Sequence, residues 1–164
     1  MKKRLGIGLG VLMALFIGGS LVYGQEIKTY FEVKQITDTF FEHVTKQEFE
    51  QAFDAIGYYN EASDMEPTIS RDDAKAMWMK RMKDAYAEGT FVLKVFDVNI
   101  SFNDTYPSAN GIMQYNDQGE WNDRVVLISY IYQDGWKIGR VGFADEDGPE
   151  EHPLSTAMSG YMPE

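Results

Sequence analysis

The sequence predicts an α+β domain carried behind a membrane-targeting segment, and three observations predict it. Apolar residues recur at helical spacing up to Gly89 and then switch to alternation. Asp134-Gly135, a pair suited to a tight hairpin turn, separates two apolar runs. Residues 5–25, LGIGLGVLMALFIGGSLVYGQ, carry no charge and follow Met1-Lys2-Lys3-Arg4.

The N-terminal run comes first in the chain and sets the location. A positive end that stays in the cytoplasm, followed by an apolar run that enters the bilayer, is an export pattern and puts Glu26 onward on the far side. The run is close to the roughly 20 residues that span a bilayer. Val22-Tyr23-Gly24 also allows cleavage after Gly24. Residues 1–25 therefore read as a signal peptide or as an N-terminal membrane anchor, with the protein secreted or held on the outer face of the cytoplasmic membrane.

The remainder has room for one domain, over residues 26–143, and a tail over 144–164. With Lys2, Lys3 and Arg4 set aside, 12 basic and 26 acidic residues leave a formal charge of −14. That balance excludes phosphate-backbone binding, which needs clustered Lys and Arg. The absence of cysteine excludes disulfides, thiol catalysis and an acylated-Cys anchor. Ten Tyr, ten Phe, three Trp and nine Met supply the core instead.

Residues 27–44 read as a helix continuing out of the export segment, with Val33, Ile36, Phe40 and Val44 in one row and Thr37 and Phe41 in the next. Thr45-Lys46-Gln47-Glu48 reads as a capping box opening a second helix. Its stripe is Phe49, Ala52, Phe53 and Ile56, and Gly57 is its stop. After a polar loop over 60–69, Ser70 caps a third helix that runs to about Glu88. The inner face of that helix is Ala74, Met77, Trp78, Met82, Ala85 and Tyr86.

Beyond Gly89 four strands are expected. The first, 91–102, alternates Phe96, Val98, Ile100 and Phe102 against Asp97, Asn99 and Ser101. The second is 109–115, and a turn at 116–119 leads to the third, 124–133, which is apolar on both faces as in a central strand. Asp134-Gly135 forms a two-residue turn into 136–143, where a phase change predicts a bulge near Gly139. Residues 144–164 contain no Lys or Arg and three of the five prolines. They read as a mobile, acidic tail in which His152 is solvated.

Three helices followed by an antiparallel meander of four long strands, the last pair closed by Asp134-Gly135-Trp136-Lys137-Ile138, resemble the NTF2-like (cystatin-like α+β) superfamily, particularly its small exported Gram-positive members. The resemblance covers about residues 27–143. It implies that the helices pack in the concavity of a curved sheet, forming a cone with a pocket at its open end. It also implies either a small acid/base enzyme, such as an isomerase or dehydratase, or a non-catalytic binding or assembly module. Dimerisation through the sheet is a further option, and fold alone does not choose among them.

His43, at the edge of the buried face of helix one, and Asp97, the only acid inside the first strand, are the candidate acid/base groups. Each has an ordinary alternative, a helix-end histidine and a wetted strand face. Arg124 could clamp a carboxylate or pair with Asp123, Asp97 or Glu120. Trp78, Tyr130 and Tyr132 read as core or as the wall of a partly apolar pocket. No metal-ligand spacing or cofactor motif is present, so neither metal nor cofactor is expected. The partner class is a protein, a peptide or an apolar small molecule, and neither nucleic acid nor a metal.

Overall fold

The computed structural model describes residues 5–60, 67–102, 106–145 and 152–162, with side chains from residue 24 onward. Met1–Glu32 and Val33–Glu164 form two compact units. Helix α1 (Leu5–Thr45) supplies the first unit and opens the second. Among the residues whose side chains are described, from 24 onward, no helix is long and apolar enough to cross a membrane. The export reading rests on residues 1–25, of which 1–4 and the side chains of 5–23 lie outside the described residues.

The second unit is α+β, as expected. After α1 come α2 (Phe49–Ala52), a 3₁₀ turn (Phe53–Ala55) and α3 (Arg71–Ala87). Strands β1 (Thr90–Ser101), β2 (Ser108–Asp117), β3 (Glu120–Tyr132) and β4 (Trp136–Phe143) follow, and then α4 (Pro153–Met158). The strands form one antiparallel sheet in the order β1-β2-β3-β4.

The helical rows bury as their spacing predicts. Val33, Phe40, Phe41 and Val44 of α1 join Ala74, Trp78, Met82 and Ala85 of α3 in one cluster and Thr37 is buried as well, whereas Met77 is 39 % exposed and leaves the expected inner face. Ser70 caps α3 by accepting the Asp73 N–H at 3.2 Å. The capping box at 45–48 does not form. The Thr45 hydroxyl donates to the Glu42 carbonyl at 2.9 Å, Gln47 adopts φ 60°, and Glu48 spends its carboxylate on His43. The stripe Phe49, Ala52, Phe53, Ile56 is buried, but on one α turn and one 3₁₀ turn. Gly57 follows for reasons of space. A Cβ there would sit 2.6 Å from the Ile131 side chain and 2.8 Å from Lys137 Cβ, because the Gly57 N–H bonds the Ile138 carbonyl at 2.9 Å.

Strand β1 departs from simple alternation. Its pairing with β2 shifts between Val92 and Lys94 and again between Phe96 and Asn99, where Asp97 has φ 54°. Bulges of this kind bend a strand and disrupt the ladder at an edge. The two-residue hairpin falls at Gln118-Gly119, both at positive φ, between paired Asp117 and Glu120. The β3–β4 ladder instead closes at Tyr132 and Trp136, so its loop has three residues, 133–135. The bulge near Gly139 is present, since pairing jumps from Ser129–Arg140 to Tyr130–Ile138.

The tail expectation changes for residues 152–162; residues 146–151 and 163–164 lie outside the described residues. His152 caps α4 by accepting the Leu154 N–H at 3.2 Å, and Leu154, Ala157, Met158 and Met162 enter the core. The strap that follows hydrogen-bonds on both sides. Gly160 N–H donates to Gly139 at 2.9 Å, Tyr59 N–H to Gly160 at 3.0 Å and Met162 N–H to Tyr59 at 2.7 Å. The Arg81 guanidinium holds the Ser159 and Tyr161 carbonyls at 2.8 and 2.9 Å. His152, expected in water, packs edge-on against both the Tyr115 and Phe143 rings at 5.1 and 5.0 Å, its side chain only 13 % exposed. Four apolar side chains and a hydrogen-bonded backbone outweigh the local polarity that suggested a loose end.

Candidate functional site

Clefts lined by described residues of the second unit include three of about 260, 390 and 730 Å³. The largest lies within the range of small-molecule sites. It opens between the 3₁₀ turn, the start of α3 and the β3–β4 hairpin, and its lining includes Phe53, Asp54, Tyr58, Arg71, Tyr132 and Lys137. The parallel bridge between Ile56 and Ile138 brings residues 53–58 and 132–137 together.

Its floor is aromatic and its rim ionic. Tyr58 stacks on Phe53 with centroids 5.9 Å apart and planes at 27°, and the Arg71 guanidinium stands 5.6 Å from the Phe53 centroid. Asp54 links the two cations: its carboxylate accepts from Arg71 at 2.5 Å and its carbonyl from Lys137 at 2.6 Å. Gln133 donates to the Tyr58 carbonyl at 2.9 Å and ties the hairpin to that wall. Tyr132, 62 % exposed, stands edge-on to Trp136 at 5.4 Å, and Trp136 meets Tyr106 at 6.0 Å. Flat or apolar groups can stack on such a surface, and an anionic group can compete with Asp54 for Arg71.

Of the sequence candidates, Tyr132 lines this cleft, and the others lie elsewhere. His43 Nδ1 is 2.7 Å from Glu48 Oε2 near the end of α1, and Asp97 is exposed at the β1 bulge; neither lines any of the three clefts. Trp78 has no exposed surface and packs against Phe40, Phe49 and Phe53 at 6.2, 6.5 and 5.9 Å. Tyr130 donates to the Thr37 hydroxyl at 2.6 Å while Thr37 donates to the Val33 carbonyl at 2.8 Å. Burial pushes the Tyr130 hydroxyl up to about 12.

Arg124 pairs with Asp145 rather than with Asp123, Asp97 or Glu120, and its guanidinium lies 4.2 Å from the Phe143 centroid. The hydrogen bond from Arg124 holds the Asp145 carboxyl below its ordinary value. Among the described residues no group of three or more His, Asp or Glu could hold a metal ion.

Phe53, Asp54, Tyr58, Arg71 and Lys137 were not singled out as site residues from the sequence. Phe53 shows only in a helix stripe and Arg71 only as the residue that follows the Ser70 cap. A Tyr58-Tyr59 pair directly after Gly57 was the one available signal. In comparison with known proteins, no family model matches the chain, and no curated protein or solved structure does.

Proposed function

We propose that this protein is a non-catalytic, extracytoplasmic binding module of NTF2-like type, held at or released from the outer face of the membrane by its N-terminal segment. The cleft of about 730 Å³ carries the reading, because its Tyr58 and Tyr132 surface, backed by the buried Phe53, and its Arg71–Asp54 rim suit capture of a partly apolar ligand. The order of three helices and a four-stranded antiparallel meander supports the NTF2-like part. The test is titration with anilinonaphthalene sulfonate, an aromatic anion. Saturable binding is expected, weakened about tenfold by Tyr132→Ala or Arg71→Ala, the effect of about 1.4 kcal/mol. Binding that ignores both substitutions in folded protein would reject the cleft.

A second reading is dimerisation through the sheet. It is favoured by Val125 and Leu127, which are 50 % and 48 % exposed on the outer face of β3. Sedimentation that stays monomeric at high concentration would remove it.

A further inference from the structure

The first unit carries an exposed apolar stripe. In α1, Ile27 is 57 % exposed, Tyr30 37 % and Phe31 64 %, and their i, i+3, i+4 spacing puts them on one side of the helix. Tyr30 and Phe31 meet edge to face at 5.6 Å. Lys28 and Glu32 pair at 3.4 Å off the stripe, so this stretch is amphipathic.

What covers the stripe follows from the chain before it. The α1 backbone is helical from Leu5 through Gly24 into this stretch, and residues 5–25 are uncharged. At 1.5 Å per residue that run rises about 32 Å, close to a hydrocarbon core of about 30 Å. Ile27, Tyr30 and Phe31 then fall about 3–9 Å past the edge of that core, in the headgroup layer where Tyr and Trp concentrate and where the apolar face of an amphipathic helix can bury Phe and Ile. Cleavage after Gly24 would strand all three in water on a stub of helix.

We infer that Ile27, Tyr30 and Phe31 lie in the outer headgroup layer of the membrane, and that the segment before them is kept as an anchor. The inference rests on the extracytoplasmic reading above.

The full chain, as wild type and as Phe31→Trp, is produced in a bacterial host and reconstituted into phosphatidylcholine–phosphatidylglycerol vesicles. Intact mass and vesicle flotation test the anchor. Quenching by lipid brominated next to the headgroup tests the stripe, with the native Trp78, Trp121 and Trp136 as background. The expected result is an uncut chain that floats and a loss of Phe31→Trp emission well above that of wild type. An uncut, floating chain whose Phe31→Trp variant is quenched no more than wild type would overturn the inference and leave the anchor standing. High-yield crosslinking of a Phe31→Cys variant to itself would overturn it too, by making the occupant a second copy. A mass that starts at Gln25, or a chain that does not float, would overturn the anchor and the stripe together.

Discussion

The two faces of β3 carry the same kinds of residue and meet opposite fates. Val126, Ile128 and Tyr130 are 0, 1 and 2 % exposed, while Val125 and Leu127 between them are about half exposed at 50 % and 48 %. An unbroken apolar run in a central strand suggests cover on both sides. Here the described residues cover one. Helices α1, α3 and α4 and Met162 join the cluster containing Val126, Ile128 and Tyr130, and the opposite side meets Ile112 across the Val125 pairing. Apolar composition therefore records that a surface is worth covering, and the packing partners decide whether it is covered within the chain.

The sharpest test of the covered side is Trp78→Ala, which should cost about 3–5 kcal/mol, the usual loss for a large buried aromatic. Equilibrium urea unfolding reads it, and a cost under about 1 kcal/mol would deny the helix-on-sheet core. Next come the paired substitutions on β3 itself. Ile128→Ala should cost about 2–5 kcal/mol and Leu127→Ala less than about 1 kcal/mol. Equal costs would break the comparison and mean that the outer face is covered in solution.

Smaller effects sharpen the edge and the interior of the covered side. A Cβ at Gly160 would overlap the Gly57 carbonyl oxygen, so Gly160→Ala should cost about 1–3 kcal/mol through overpacking. Amide exchange should accelerate first over residues 159–162, and exchange unchanged there would show that the strap carries no strain.

Of the buried sites the mildest is Tyr130→Phe, expected to cost about 1 kcal/mol, because Thr37 keeps the Val33 carbonyl when the Tyr130 hydroxyl goes. This substitution also has a pH signature. Burial raises Tyr130 and Tyr86 from 10.0 to about 12 in the folded protein. The unfolded chain therefore loses these protons first as pH rises. Their stabilisation is complete below pH 10 and drains away between about 10 and 12. Tyr130→Phe should remove part of that decline and leave the share due to Tyr86. An unaltered slope would place the Tyr130 hydroxyl in water.

Much of the fold was legible because it is written locally. The change of period at Gly89, the Ser70 cap and the bulge at Gly139 each depend on neighbours within a few residues. The capping box at 45–48 failed although its letters were right, because His43 lies one turn back and takes the Glu48 carboxylate at 2.7 Å. For the candidate site far less was readable. Tyr132 was named, but Phe53, Asp54, Tyr58 and Arg71 lie some 60 to 80 positions away in sequence, and no local period links them to the hairpin.

What the sequence by itself determined is the run of helices and strands from α1 to β4, their order and most of their apolar rows, since helix and strand periods are properties of the backbone repeat. Only the tertiary structure decided which apolar rows are covered, where the cleft opens and that residues 152–162 belong to the core. Those outcomes depend on contacts such as Arg81 to the Ser159 carbonyl, 78 residues apart, and Gly160 against Gly139. Such contacts are worth something only after the chain has closed on itself, so they leave no periodic trace in the order of the residues.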